Sequence, residues 1–431
     1  MHKEVRTYTK GLRGYYHSLG LNLFFIISIT LIVISAIQAI PVDGGGQIGI
    51  MANPLSIGDR SFYINDVDPW GDISTGTTST ASPLYPLLLR SYSSIVGLAG
   101  FSSTTPAWNL CAIAITWATS LATLLMLKRI AHTTFNQGAG DKAAIIYSLC
   151  PYTYYYILSG GLTAIFLCTF TAYTLLIIRS ASLIQKEKAL SAISWIGQAS
   201  IATLTVLLRP SGLPIIAIMQ LGITLYIAIK KVHKGNRCTK LRLESDVKRS
   251  LYCLLACAII AISAIVPSRV YINDSLRAYQ VESGTHLGVE RSQIKGIVSD
   301  LHSSGEVANS LAGGAILAGW RISDAFLGIN DARDTYTTIP SRSQAVGVIA
   351  RGLTAIFFLL PMSYAALAAA YVYREEIVRS GFCIPLTAMV VTLSYSLLGF
   401  PMSRYYIMVW TPAACLAGAF WHTLEKFRKR L

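Results

Sequence analysis

AAIIYSLCPYTYYYILSGGLTAIFLCTFTAYTLLII, residues 143–178, runs for 36 positions without one Asp, Glu, Lys or Arg. A helix rises about 1.5 Å per residue and a bilayer's hydrocarbon core is about 30 Å thick, so one helix of this length would greatly overshoot a membrane. Ser159-Gly160-Gly161 supplies the turn that divides it, giving two spans, Ala143–Leu158 and Leu162–Ile178, joined as a tight hairpin. Arg209-Pro210-Ser211 divides a second long run in the same way, into Ala192–Leu208 and Gly212–Ile229.

Outward from these hairpins, six more apolar stretches reach membrane length: Leu21–Ile40, Trp108–Leu127, Leu251–Pro267, Leu353–Val372, Phe382–Phe400 and Tyr405–His422. The expected fold class is therefore an all-α polytopic membrane protein of about ten transmembrane helices. Composition agrees, since 53% of the 431 residues are hydrophobic and only 13% charged, proportions that a water-facing surface does not tolerate. The first run also has the basic flank and small residues (Ala36, Ala39) of a signal peptide, but about 20 apolar residues exceed an ordinary signal core, and it is read as retained.

The net charge of +15 would suggest nucleic acid in a soluble chain. Here the cations lie in short segments between apolar runs. If the chain alternates sides across ten spans, one face collects a net +16 and the other −1. An excess of Lys and Arg marks the cytoplasmic side, so both termini are expected there and nucleic acid is excluded as a partner. Seven cysteines lie inside apolar runs and Cys238 in a basic loop, with no CxxC, zinc pattern or disulfide framework. The short cytoplasmic loops hold no Walker, kinase or Rossmann pattern, which disfavours nucleotide-driven chemistry.

Two external segments are too long to be connectors. They divide the chain into a module over 1–267 whose first external loop (41–107) is the expected catalytic segment, a cap over 268–352, and C-terminal helices over 353–431. The first loop carries Gly58-Asp59-Arg60-Ser-Phe-Tyr63-Ile-Asn65-Asp66-Val-Asp68-Pro-Trp70-Gly-Asp72, followed by Ala81-Ser82-Pro83-Leu84-Tyr85-Pro86. Its carboxylates, opposed nearby by Arg60 alone, suit either general-base work or a divalent cation with oxygen ligands; a solvated acidic loop is the plainer alternative for any one of them. Asp66-x-Asp68 has the spacing of a metal-binding DxD, a pattern common by chance. Leu84–Leu98, with Arg90, Ser91, Ser93 and Ser94 among Leu, Ile and Val, suits a helix lying in the outer interface. The cluster Pro151-Tyr152-Thr-Tyr154-Tyr155-Tyr156 reads first as an interfacial aromatic belt and second as a wall for a lipid stem or sugar. The cap has no clean period; a partly helical acceptor-selecting lid and a structural loop both fit it.

An N-terminal membrane helix, an external loop with Asp-x-x-x-Tyr (Asp59, Tyr63), and Pro-Leu-Tyr-Pro (Pro83 to Pro86) leading to the second span resemble the GT-C superfamily of integral-membrane glycosyltransferases. The branch most similar in layout is that of protein O-mannosyltransferases and aminoarabinose transferases. Leu208-Arg209-Pro210-Ser-Gly212 at the outer end of the fifth span and Arg404-Tyr405 at the outer start of the last agree in place. Ala81-Ser82 depart from the charged residue or second proline that many relatives carry there.

The resemblance implies a polyprenyl-phosphate sugar donor and a glycan, lipid or protein acceptor on the non-cytoplasmic face, in an inverting transfer. It implies Asp59 as general base with Asp66 and Asp68 as runners-up, and Tyr63, Pro83, Tyr85, Arg209, Arg404 and Tyr405 as substrate-binding residues. No cofactor is implied beyond a possible divalent cation. The expected location is a bacterial inner membrane with a periplasmic active site. An O-antigen polymerase or ligase, and a lipid-linked-glycan flippase or transporter, stay open as alternatives. The former normally has more spans and Arg-rich external motifs; the latter normally places charged or broken-helix features at the midplane, where these runs carry little beyond Pro151.

The topology is testable directly. Cysteines introduced as Ser79→Cys and Ser304→Cys are expected to react with a membrane-impermeant maleimide applied from the outer side, and protection of both would overturn the charge-based map.

Overall fold

The computed structural model describes residues 19–34, 106–158, 162–186, 190–208, 212–233, 244–260, 262–263, 353, 355–396 and 403–428, with positions 84, 88, 91, 94, 95, 97 and 98. Among the described residues the regular structure is entirely helical. In chain order the helices are α1 (residues 19–34), α2 (Pro106–Thr134), α3 (Gln137–Leu149), α4 (Pro151–Leu158), α5 (Leu162–Gln185), α6 (Ala192–Leu208), α7 (Leu213–His233) and α8 (residues 244–260). A π turn (Ala355–Leu359) leads into α9 (Leu360–Val372), followed by α10 (Arg374–Ser380), α11 (Cys383–Ser396) and α12 (Ser403–Arg428).

By length and composition two of these are spans on their own, Ile113–Thr134 and Thr163–Gln185. Ile356–Val372 with Arg374–Ser380, bent by 81°, would make a third. The apolar parts of α1, α6 and α7 are shorter. The helices thus fall on the expected runs, while ten full crossings remain a reading of the sequence. The 81° bend falls at Tyr373, at φ −102 and ψ 22; beyond it Glu375 and Glu376 open α10 and Arg379 closes it, each charge complementing the helix dipole at its own end. Gly381, at φ 76, then turns the chain towards α11, a backbone conformation that costs glycine little.

One expected span is broken. Ala143–Leu158 is two helices, because Pro151 lacks an N–H and pushes the residue before it out of the α region; Cys150 sits at φ −71, ψ 116. In an apolar medium the freed carbonyls need donors from the protein. Thr153 Oγ1 donates to the Tyr147 carbonyl at 3.0 Å and the Tyr154 hydroxyl donates to that of Ser148. The tyrosines are not a belt facing lipid: Tyr152, Tyr154 and Tyr156 are buried, with Tyr154 beside Phe24 and Tyr152 beside Trp410.

Two apolar cores organise the described helices. The first joins α1, α2, α3, α4, α9 and α12 with Ala164, Leu167 and Ile178 of α5 and Ile377 of α10; the second joins α5, α6 and α7 with Cys257 of α8 and Ile384 and Ala388 of α11. Between apolar surfaces already surrounded by lipid, close van der Waals approach and interhelical hydrogen bonds do the holding. The first core relies on approach. A Cβ added at Gly418 of α12 would stand 2.6 Å from the Ala143 nitrogen of α3, and one at Gly140 would stand 2.7 Å from the Lys128 carbonyl of α2. The second relies on polar links: Tyr173 donates to Gln220 Oε1 (2.6 Å), and Gln220 Nε2 to Ser250 Oγ (2.7 Å), pinning α5, α7 and α8 together.

Lys142, which the sequence reading places with the cytoplasmic charges, is buried within α3. Its ammonium meets Glu425 Oε1 at 2.5 Å and lies 4.5 Å over the Trp421 ring, while Lys128 pairs with Asp141 at 2.8 Å. These contacts gather at the end of the bundle that carries Lys426 and Arg428.

Glycines separate the two kinds of surface. Gly418→Ala is expected to lower stability by about 1–3 kcal/mol through overpacking. Gly197→Ala on α6, where an added Cβ meets nothing within 4 Å, is expected to raise it by about 0.5–1 kcal/mol through helix propensity. Unfolding in mild detergent checks both, and equal effects would contradict the packing.

Candidate functional site

α12 runs opposite to α3 and α4, since Trp410 packs on Tyr152 and Tyr156 while Glu425 reaches Lys142. So does α5, whose Ala164 shares a cavity wall with Tyr156 and whose Cys168 lies near Tyr147. α5 and α12 are therefore parallel, with the Thr171 and Thr411 hydroxyls 3.5 Å apart. Thr171 is the tenth residue of α5 and Thr411 the ninth of α12. At about 1.5 Å per residue both helices begin some 12–14 Å from that contact and are therefore level at one end of the bundle. This end is opposite to the one holding Lys142 and Glu425.

Several motif-bearing segments border it. α12 opens Ser403-Arg404-Tyr405, so Arg404 and Tyr405 occupy a first helical turn, where unsatisfied amides and the positive end of the dipole favour an anion. Arg209 belongs to the link between Leu208, the last residue of α6, and Gly212, just before α7. The described residues on either side of that link abut the start of α5: Leu208 is buried in the second core and a Cβ on Gly212 would lie 3.3 Å from the Phe166 ring. Leu84, from Pro-Leu-Tyr-Pro, is helical and packs against the same core. Helical positions follow at 88, 91, 94, 95, 97 and 98, with Ile95 and Leu98 largely exposed.

Asp59, Tyr63, Asp66, Asp68, Pro83, Tyr85 and Arg209 lie outside the described residues, as do the cap and the side chains of Arg404 and Tyr405. Among the described residues no three His, Cys, Asp or Glu side chains gather as a metal site would require.

Beneath this end lies a feature that sequence reasoning missed. Trp410 of α12 packs on two rings of α4, Tyr152 at 4.7 Å and Tyr156 at 6.3 Å between centroids. Thr116 of α2 reaches the same helix, donating to the Ile157 carbonyl at 2.6 Å. Below Trp410 is a cavity of about 20 Å³, with room for about one water, walled by α2–α5, the π turn, α9 and α12. Tyr152 and Tyr156 recur at helical spacing, a sign that they share one face; the partner, Trp410, is over 250 positions away and carries no local sign.

No family model matches this chain, and no curated protein does. Among solved structures, it is similar to the Archaeoglobus fulgidus oligosaccharyltransferase in its apo form, at 14% identity and a TM-score of 0.45 over 94% of this chain and 51% of that one. It is similar also to the archaeal oligosaccharyltransferase AglB from Archaeoglobus fulgidus in complex with an inhibitory peptide and a dolichol-phosphate, at 13% identity and a TM-score of 0.41 over 94% and 51%. The chain spans about half the length of each.

Proposed function

We propose that the chain is a membrane glycosyltransferase of the GT-C type, moving a sugar from a polyprenyl-phosphate donor to a glycan, lipid or protein acceptor on the non-cytoplasmic face. The observation that carries the reading is the level start of α5 and α12. It brings the flanks of Arg209, the first turn holding Arg404, and Leu84 of Pro-Leu-Tyr-Pro to one end of the bundle, opposite the cationic end.

In this reading Asp59 takes the proton of the acceptor hydroxyl or amine as its oxygen or nitrogen attacks the anomeric carbon. The bond from that carbon to the phosphate oxygen breaks on the opposite face, inverting configuration, and polyprenyl phosphate leaves carrying the electron pair. The guanidinium groups of Arg209 and Arg404 hold the phosphate through paired N–H donors, a geometry lysine does not reproduce. Tyr63, Pro83, Tyr85 and Tyr405 complete the substrate site. Asp66 and Asp68 stand in reserve as bases or as oxygen ligands for a divalent cation. The proposed setting is a bacterial inner membrane, ten spans, a periplasmic site, and the 268–352 segment as a cap over it.

The break at Cys150–Pro151 supports a second reading, a lipid-linked-glycan flippase, since interrupted helices beside a cavity also serve alternating access. Proteoliposomes separate the two: a transferase forms glycosylated acceptor from donor already in the outer leaflet, whereas a flippase only moves the donor across.

Asp59→Asn is expected to lower transfer by about 10²–10⁴-fold with donor binding retained. Arg209→Lys and Arg404→Lys are expected to weaken donor binding. Full activity in Asp59→Asn with loss in Asp66→Asn or Asp68→Asn would move the base; full activity in all three would overturn the transferase reading.

A further inference from the structure

α9 faces two ways. Met362, Ala366 and Ala369, spaced four and three residues apart, are buried in the first core, where α9 packs on α12. The opposite face holds Leu360, Tyr364, Leu367 and Tyr371, spaced four, three and four, and all four are exposed. Large side chains at that spacing form a continuous seam along one side of a helix. No described residue buries it.

Depth sets one residue of the seam apart. α9 runs parallel to α12, since Met362 shares the cavity wall with Ala414 and the Tyr373 hydroxyl meets that of Thr423. The charges of α10 begin at Arg374, and Tyr364 lies nine residues in from Tyr373. At about 1.5 Å per residue that is about 14 Å, the middle of a hydrocarbon core about 30 Å thick. Its side chain is 71% exposed, and its hydroxyl has no partner among the described residues. A serine at such a depth returns its proton to its own helix, as Ser363 does to the Leu359 carbonyl at 2.8 Å. A phenol is too long and stiff to do so, and this one is too deep to reach the headgroups. The other exposed tyrosines among the described residues stand near charge. Tyr371 is three residues from Arg374, whose guanidinium lies 5.9 Å over its ring, and Tyr252 of α8 is three residues from Arg249.

Lipid tails offer a hydroxyl no acceptor, so the seam fits a partner that brings one to the same depth. A second copy of this chain does. All copies insert in one orientation, so a closed pair has its two-fold axis along the membrane normal, and a seam on that axis sets each residue against its counterpart. Phenols are donors and acceptors at once and can bond each other. We propose that α9 is a dimer seam, in which two copies pair along Leu360, Tyr364, Leu367 and Tyr371 with their Tyr364 hydroxyls hydrogen-bonded to each other. The polar pair at mid-depth fixes the register, as a single polar residue does in a coiled coil. The seam is independent of the transferase reading.

The full chain in proteoliposomes tests it. The photo-crosslinker p-benzoylphenylalanine in place of Leu367 is expected to join two chains on irradiation. The same group in place of Leu225, exposed on α7, is expected to join none. Energy transfer between labelled copies, followed as added lipid dilutes them, reads the association constant. Tyr364→Phe keeps the ring and is expected to weaken association by about threefold, while Tyr371→Phe, near the headgroups, leaves it unchanged. Adducts of position 367 with lipid alone, with a different protein in native membranes, or no more often with a second chain than those of position 225 would overturn the seam. Association that Tyr364→Phe leaves unchanged would overturn the hydroxyl pair.

Discussion

The close approach of α12 to α3 governs the larger part of the bundle. With glycine at 418 the α12 backbone lies directly on that of Ala139–Ala143, and α2 is drawn against an adjacent side of α3 at Gly140. The contacts of α12 with α3 and α4 depend on that spacing. Tyr152 meets Trp410, and Lys142 meets Glu425 and Trp421, because two helices distant in sequence stand less than a side chain apart. Apolar area alone would not achieve this, since lipid solvates leucine as well as protein does; shape and paired polar groups distinguish one helix partner from another.

The second core solves the same problem with hydroxyls and amides. Tyr173, Gln220, Thr224 and Ser250 form a chain of donors and acceptors in which Thr224 also donates to its own helix at the Gln220 carbonyl. Gln198 extends the pattern by donating to Ser180 between α6 and α5. Such links are directional and set rotation about each helix axis, whereas the glycine contacts of the first core set separation. The two cores share α5, whose start borders the candidate site.

Helix position was legible in the sequence because hydrocarbon thickness imposes a length and punishes charge; Trp108–Leu127 and Leu162–Ile178 lie within α2 and α5. Interruption was harder to read. Pro151 can open a helix or kink one, and only the donors supplied by Thr153 and Tyr154 decide how its break is accommodated. The tyrosines of α4 misled for a related reason, since amphipathic rings suit both an interface and a core, and the choice lay with Trp410. The pairing of Lys142 was not legible because its partner is 283 residues away. Of the candidate site, the placement of Arg404 at a helix start was legible from the apolar run that follows it. The aspartates of the first loop were legible only as a motif, for no apolar period fixes where such a loop folds.

The separation of Lys142 from Glu425 has a bearing on biogenesis. At synthesis rates of about 5–20 residues per second, the lysine is made roughly 15–60 s before its carboxylate. Through that interval α3 carries an ammonium without its counter-charge, able only to stretch towards the headgroups. The arrival of α12 ends this, supplying the anion, the Trp421 face and the Gly418 groove together. α12 is thus the helix that completes this contact, and a chain halted before it would present Lys142 without Glu425, the Trp421 face or the Gly418 groove.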